Sequence, residues 1–149
     1  MSDMTTQPAT VEPSKELRKL DRMVGTWRIS GGAEGTIRFE WLPGGFFLLQ
    51  HVDLVQDGHR IRGIEVIGHE RPFGGEPSKE IKSRFYDADG NTLDYVYEVG
   101  EDGTLTIWGG EKGSPAYCTS TLSENGDTVT ATWVWPGGGY QTVGTRVRE

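Results

Sequence analysis

The chain has 149 residues, with 15 Lys and Arg against 22 Asp and Glu and a formal net charge of −7. That length suits one domain with a real core, and the acidic balance repels phosphate backbones, so no nucleic-acid partner is expected. Cys118 is the single cysteine, which excludes an intrachain disulfide framework and a multi-cysteine zinc site.

Residues 1–13 are mostly polar and hold Pro8 and Pro13, the composition of a disordered tail; a single domain is expected over 14–149. The first twenty residues contain no apolar signal core, and no apolar run reaches the length of about eighteen residues needed to span a bilayer. No membrane association is expected, and the cytoplasm is the default location. Ser14 is placed to cap a short helix over 15–23, with Leu17, Leu20 and Val24 on one face. Lys15, Arg18, Lys19 and Arg22 alternate with Glu16 and Asp21, which reads as a solvated helix face. So short a helix cannot stand alone and must pack on the body, over an open end of it.

From Gly25 onward the apolar period becomes two. Ten strand-like segments follow: Thr26–Gly31, Gly35–Leu42, Phe46–Gln56, Arg60–Glu70, Lys79–Asp87, Thr92–Val99, Thr104–Gly109, Ala116–Leu122, Thr128–Trp135 and Tyr140–Val147. Many of the 22 glycines fall between them, in turn signals such as Asp57-Gly58, Asp102-Gly103, Asn125-Gly126 and Pro136 through Gly139. Short connections pair neighbouring strands in order, and no crossover helix is available for a parallel sheet. The expected fold is therefore all-β, a ten-stranded antiparallel meander that closes into a barrel and so loses both edges. A flattened sandwich of the same strands is the alternative.

Three strands show broad aromatic inner faces: Ile37, Phe39 and Trp41; Leu93, Tyr95, Tyr97 and Val99; and Val129, Ala131, Trp133 and Trp135. Two segments are ambiguous. In 60–70, Glu65 shares a face with Ile61 and Ile67, while Ile64 and Val66 share the other. The plainer reading turns Ile64 and Val66 inward and leaves Glu65 at the surface. In 46–55 both faces begin apolar, so an outer cover is expected, either the N-terminal helix or a second subunit in a homodimer.

Some of these residues carry a resemblance. Gly25-Thr26-Trp27 after a short helix resembles the opening of lipocalin-like and nitrobindin-like barrels. Glu40 through Phe47 and Gly63 through Gly68 resemble the DUF1579 family of bacterial calycin-like proteins. The likeness runs from about Leu20 to about Asp89. It implies a calycin-like barrel and brings no activity or catalytic residue with it. Nitrobindin-like relatives hold haem iron through a histidine in the C-terminal part of the barrel. Here the histidines are His51, His59 and His69, so the resemblance does not extend to haem.

No cofactor is implied, and no metal site is expected: His51, Asp53, His59, Glu65 and His69 bring at most a pair together. Hairpin pairing about Asp57-Gly58 sets His51 close to Glu65, which makes them the candidate acid–base pair if both face inward. Cys118 reads as a small core residue. The leading expectation is a binding protein for a small, mainly apolar molecule, with Phe39, Trp41, Glu65, Tyr95, Tyr97, Trp133 and Trp135 as the ligand-contacting set. Gly63 and Gly68 are expected to leave interior room. The alternatives are an enzyme on an enclosed apolar substrate, using Glu65 and His51 or a tyrosine, and a non-catalytic protein-interaction module.

Overall fold

The computed structural model describes residues 11–148; most of the tail expected over 1–13 lies outside them, and the described part, 11–13, holds no helix or strand. Ser14 Oγ accepts from the Leu17 N–H at 3.0 Å and caps a single α-helical turn, α1 (Lys15–Arg18), which tightens into a 3₁₀ turn at Lys19–Met23. The strands are β1 (Gly25–Gly31), β2 (Glu34–Trp41), β3 (Phe47–Gln56), β4 (His59–His69), β5 (Ile81–Asp87), β6 (Thr92–Val99), β7 (Leu105–Gly109), β8 (Tyr117–Leu122), β9 (Thr128–Trp135) and β10 (Gly138–Arg146). Each pairs antiparallel with its neighbour, and β1 pairs with β10, so the sheet closes. The turn between β3 and β4 shows why the meander forms. Asp57 and Gly58 both take positive φ, at 50° and 76°, which matches the twist of a tight hairpin.

Closure gives every strand an inner and an outer parity. One continuous inner row runs from Phe39 through Gln50, Glu65 and Phe85 to Leu93, each opposite the next. A second runs from Tyr97 through Ile107, Cys118 and Trp133 to Tyr140. Outward positions carry ion pairs, among them Arg60–Asp53, Arg84–Asp94 and Lys112–Glu98.

The helical segment plugs one end. Leu17 and Leu20 are buried in the core, and the Trp27 indole N–H donates to the Met23 carbonyl at 2.9 Å. Arg146, from the last strand, lays its guanidinium 4.3 Å from the centre of the Trp27 ring. It also donates to the carbonyls of Val24, Arg22 and Gly126. This explains the Gly-x-Trp piece. Gly25 has φ 125°, and a Cβ there would stand 2.8 Å from Arg146 Nη1, so only glycine lets the arginine reach across the tryptophan. His69 ties the same end together: Nδ1 donates to the Ser78 carbonyl, and Nε2 accepts from the Ser14 hydroxyl, both at 2.7 Å. The opposite end carries hairpin connections that run from two residues between β3 and β4 to seven between β7 and β8. The fold is an all-β, ten-stranded antiparallel barrel of calycin type with a short N-terminal helix.

The ambiguous segments resolve through distant partners. Leu48, Gln50, Val52 and Leu54 face inward, and the outward Phe47 ring lies over Gly68. In β4 the inward set is Ile61, Gly63, Glu65 and Ile67, so the surface placement of Glu65 is corrected: it is 6% exposed, whereas Ile64 is 42% exposed on the outside. The expectation that Gly63 and Gly68 open interior room is corrected too. A Cβ at Gly63 would strike the Tyr86 carbonyl and the Phe85 ring, and one at Gly68 the Phe46 carbonyl and the Phe47 ring. These glycines admit neighbours and leave no space.

Candidate functional site

Between the helical plug and the far rim lies an interior space of about 120 Å³. Its wall is mostly aliphatic and aromatic: Ile29 and Trp27 from β1, Phe39 from β2, Ile107 from β7, Ala131 and Trp133 from β9. Gly144 on β10 faces it without a side chain. Its polar contributors include Gln50, Tyr97, Ser120, Tyr140 and Thr142.

At one side of this space is a buried polar group. The Tyr97 hydroxyl donates to Glu65 Oε2 at 2.6 Å. Burial raises the pKa of the Glu65 carboxyl, against smaller opposing effects from Ser83 and Tyr97. Burial also raises the Tyr97 phenol well above its usual value, and the Glu65 charge adds to that. The Ser83 hydroxyl is near enough to favour ionised Glu65, yet Ser83 Oγ is buried without a well-formed hydrogen bond among the described residues. The geometry therefore leaves Glu65 with one strong partner. Tyr95 stacks edge-on against Trp133 with ring centres 5.9 Å apart, and burial takes its phenol up to about 12. Cys118 lines the cavity with its thiol also pushed up to about 12 by burial, the behaviour of an inert core thiol.

The expected residues separate by position. Phe39, Tyr97 and Trp133 line the cavity. Glu65 stands behind Tyr97, and Tyr95 behind Trp133. Trp41 has the inward parity but lies at the plugged end, where its N–H donates to Asp21 at 2.8 Å and Arg18 stacks on its ring. Trp135 lies at the opposite rim, 41% exposed and edge-on to Tyr140. Trp108 points outward, against Tyr117, with its N–H on Glu98.

The acid–base pair of His51 and Glu65 is corrected. Register places Gln50, not His51, opposite Glu65, and His51 opposite Ile64. His51 therefore faces outward, where Nε2 lies 2.6 Å from Glu40 Oε2. That hydrogen bond, with Arg38 beside it, holds the Glu40 carboxyl below its usual range. Sequence reading passed over Gln50, Thr142 and Gly144. The available signal for Thr142 and Gly144 was their alternation with Gln141 and Val143 along β10. Among the described residues no group of three or more His, Cys, Asp or Glu side chains is placed to hold a metal ion, and no helix is long and apolar enough to cross a membrane. The class of protein defined here is thus a closed calycin-type barrel whose interior is mostly apolar, with scattered polar side chains and a buried Glu65–Tyr97 pair. Compared with models of known protein families and with curated proteins, the chain matches none.

Proposed function

We propose that the protein binds a small, mainly apolar molecule inside the barrel. The observation that carries this reading is the cavity of about 120 Å³, walled by Phe39, Ile107, Ala131 and Trp133 and closed at one end by the helical plug. Its size narrows the ligand. An engineered apolar cavity of about 150 Å³ takes benzene, whereas pockets for drug-sized ligands run to about 300–1,000 Å³. A guest of one ring, or a few carbons, fits this wall as it stands. A porphyrin or long acyl chain would have to displace core side chains. The resemblance of Glu40–Phe47 and Gly63–Gly68 to the DUF1579 family supports the same barrel class and adds no activity.

The test is native mass spectrometry of the untagged protein as purified, followed by thermal-shift screening of one-ring aromatics, fatty acids and porphyrins. A retained small mass, or a saturable rise in melting temperature with the one-ring compounds, is expected. No retained mass and no shift across the panel would remove the reading.

An enzymatic role has one specific observation in its favour, the contact of Tyr97 with buried Glu65, and it no longer involves His51. Its mark would be turnover lost in Glu65→Gln with ligand affinity retained. A homodimer through the outer face near β3 completes the proposal. Val55, Ile64 and Tyr86 are exposed there, and sedimentation at micromolar concentration showing a monomer alone would exclude it.

A further inference from the structure

We propose that the cavity is built for a neutral one-ring ligand bearing a single hydroxyl or carbonyl group, received by the Gln50 amide and the Tyr97 hydroxyl. This rests on the binding reading above and says which chemistry the guest carries.

Gln50 is the starting point. It sits on the inner face of β3, in the row Phe39–Gln50–Glu65, and lines the cavity. Its side-chain amide makes no hydrogen bond to another described residue. Gln50 is part-buried and lines the open space, so its amide donors and acceptor are free to meet a guest there. The Glu65 carboxyl directly opposite in register takes its hydrogen bond from Tyr97 at 2.6 Å, through Oε2. Tyr97 also lines the cavity, and its hydroxyl oxygen retains acceptor capacity while it donates to Glu65. Gln50 and Tyr97 thus converge from β3 and β6 on one side of the space. The side chains of Ile29, Ile107 and Ala131 offer a ligand nothing but dispersion. Ser120 and Thr142 flank Ala131 in register and add hydroxyls to that wall, while Gln50 brings the one amide among the described lining residues, so the complement is a ring whose polar group meets the Gln50 side.

The guest is neutral for two reasons. Among the described residues no Lys, Arg or His side chain lines the cavity to balance an anion. Among the described residues no Asp or Glu side chain lines the cavity to balance a cation. A charged guest would also pay its full desolvation in a space of this size.

The experiment compares phenol, toluene, benzoate and benzylamine on the full chain, by calorimetric titration and thermal shift. Phenol is expected to bind about fivefold or more tightly than toluene, the scale of one net hydrogen bond, with benzoate and benzylamine weakest. In Gln50→Met, which keeps length and removes the amide, phenol affinity should fall to that of toluene measured in the same variant. Tyr97→Phe is the second variant, and should reduce phenol preference in the same sense; near-ultraviolet circular dichroism checks that each variant is folded. Equal binding of phenol and toluene, a preference for a charged ring, or phenol binding untouched in both variants would overturn the assignment and leave the apolar-binding reading standing. Toluene and phenol both failing to bind would overturn that reading and this inference with it.

Discussion

Glu65 concentrates the chemistry of the interior in one carboxyl group. Burial raises its pKa in the folded chain, so between the ordinary carboxylate value, about 4.3, and the raised one, the unfolded chain binds fewer protons than the folded chain. Stability from this group is therefore full below the ordinary value and is lost as pH rises through the raised one. Glu40, Asp53 and Asp127 are shifted downward, chiefly by side-chain hydrogen bonds with His51, Arg60 and Arg148 respectively. Their stabilisation has the opposite sign, present above the ordinary range and lost as pH falls through the lowered values. Comparison with Glu65→Gln isolates the one term. Urea midpoints of the natural chain should fall relative to the variant as pH rises from about 4.5 to about 8, with the variant at least as stable at the upper end. Parallel curves would show that Glu65 ionises in the fold as freely as outside it. The inward position of Glu65 was not legible in β4 itself. Ile64 and Val66 make an equally apolar alternate face, and the deciding partner is Tyr97, 32 residues away in sequence on β6.

At the scale of the elements, the turns made the strands legible. Asp57-Gly58, Asp102-Gly103 and Asn125-Gly126 mark hairpins whose flanking strands lie within a residue or two of the segments expected from alternation. One shift is at β10, expected from Tyr140 but beginning at Gly138. The ladder continues there because Gly138 pairs with Trp135, leaving Pro136 and Gly137 as a two-residue turn; a run of glycines hides such pairing, since it carries no side-chain alternation. What alternation could not reveal is the clamp at the plugged end. Arg146 follows the strand pattern of β10, yet its guanidinium joins the first and last strands to the 3₁₀ turn through Trp27 and the carbonyls of Arg22, Val24 and Gly126. Arg146→Ala should cost about 2–4 kcal/mol, from lost cation–π contact and carbonyls left without a charged donor. Urea unfolding measures it; a loss below about 0.5 kcal/mol, the range of ordinary surface substitutions, would show that the clamp is incidental.

For the molecule as a whole, closure of the sheet is what creates an interior, and the choice of small side chains on one wall keeps part of it empty. Ala131 and Gly144 lie near each other on adjacent strands, β9 and β10, and both face the cavity. Ala131→Leu should fill the space, eliminate binding of one-ring compounds, and change stability by no more than about 1 kcal/mol, because the added methylenes occupy a void and need not overpack a dense core. Unaltered toluene affinity in that variant would place the ligand elsewhere. The barrel was readable from the chain, but the volume and position of its free space were not, since these depend on which side chains from ten strands meet. The central claim is that the interior itself is the binding site, and its most direct test is a toluene titration followed residue by residue in amide and methyl NMR spectra. Saturable shifts centred on Ile29, Ile107, Ala131 and Gly144 are predicted; no shift up to the solubility of toluene, or shifts confined to the outer face around Ile64 and Tyr86, would contradict it.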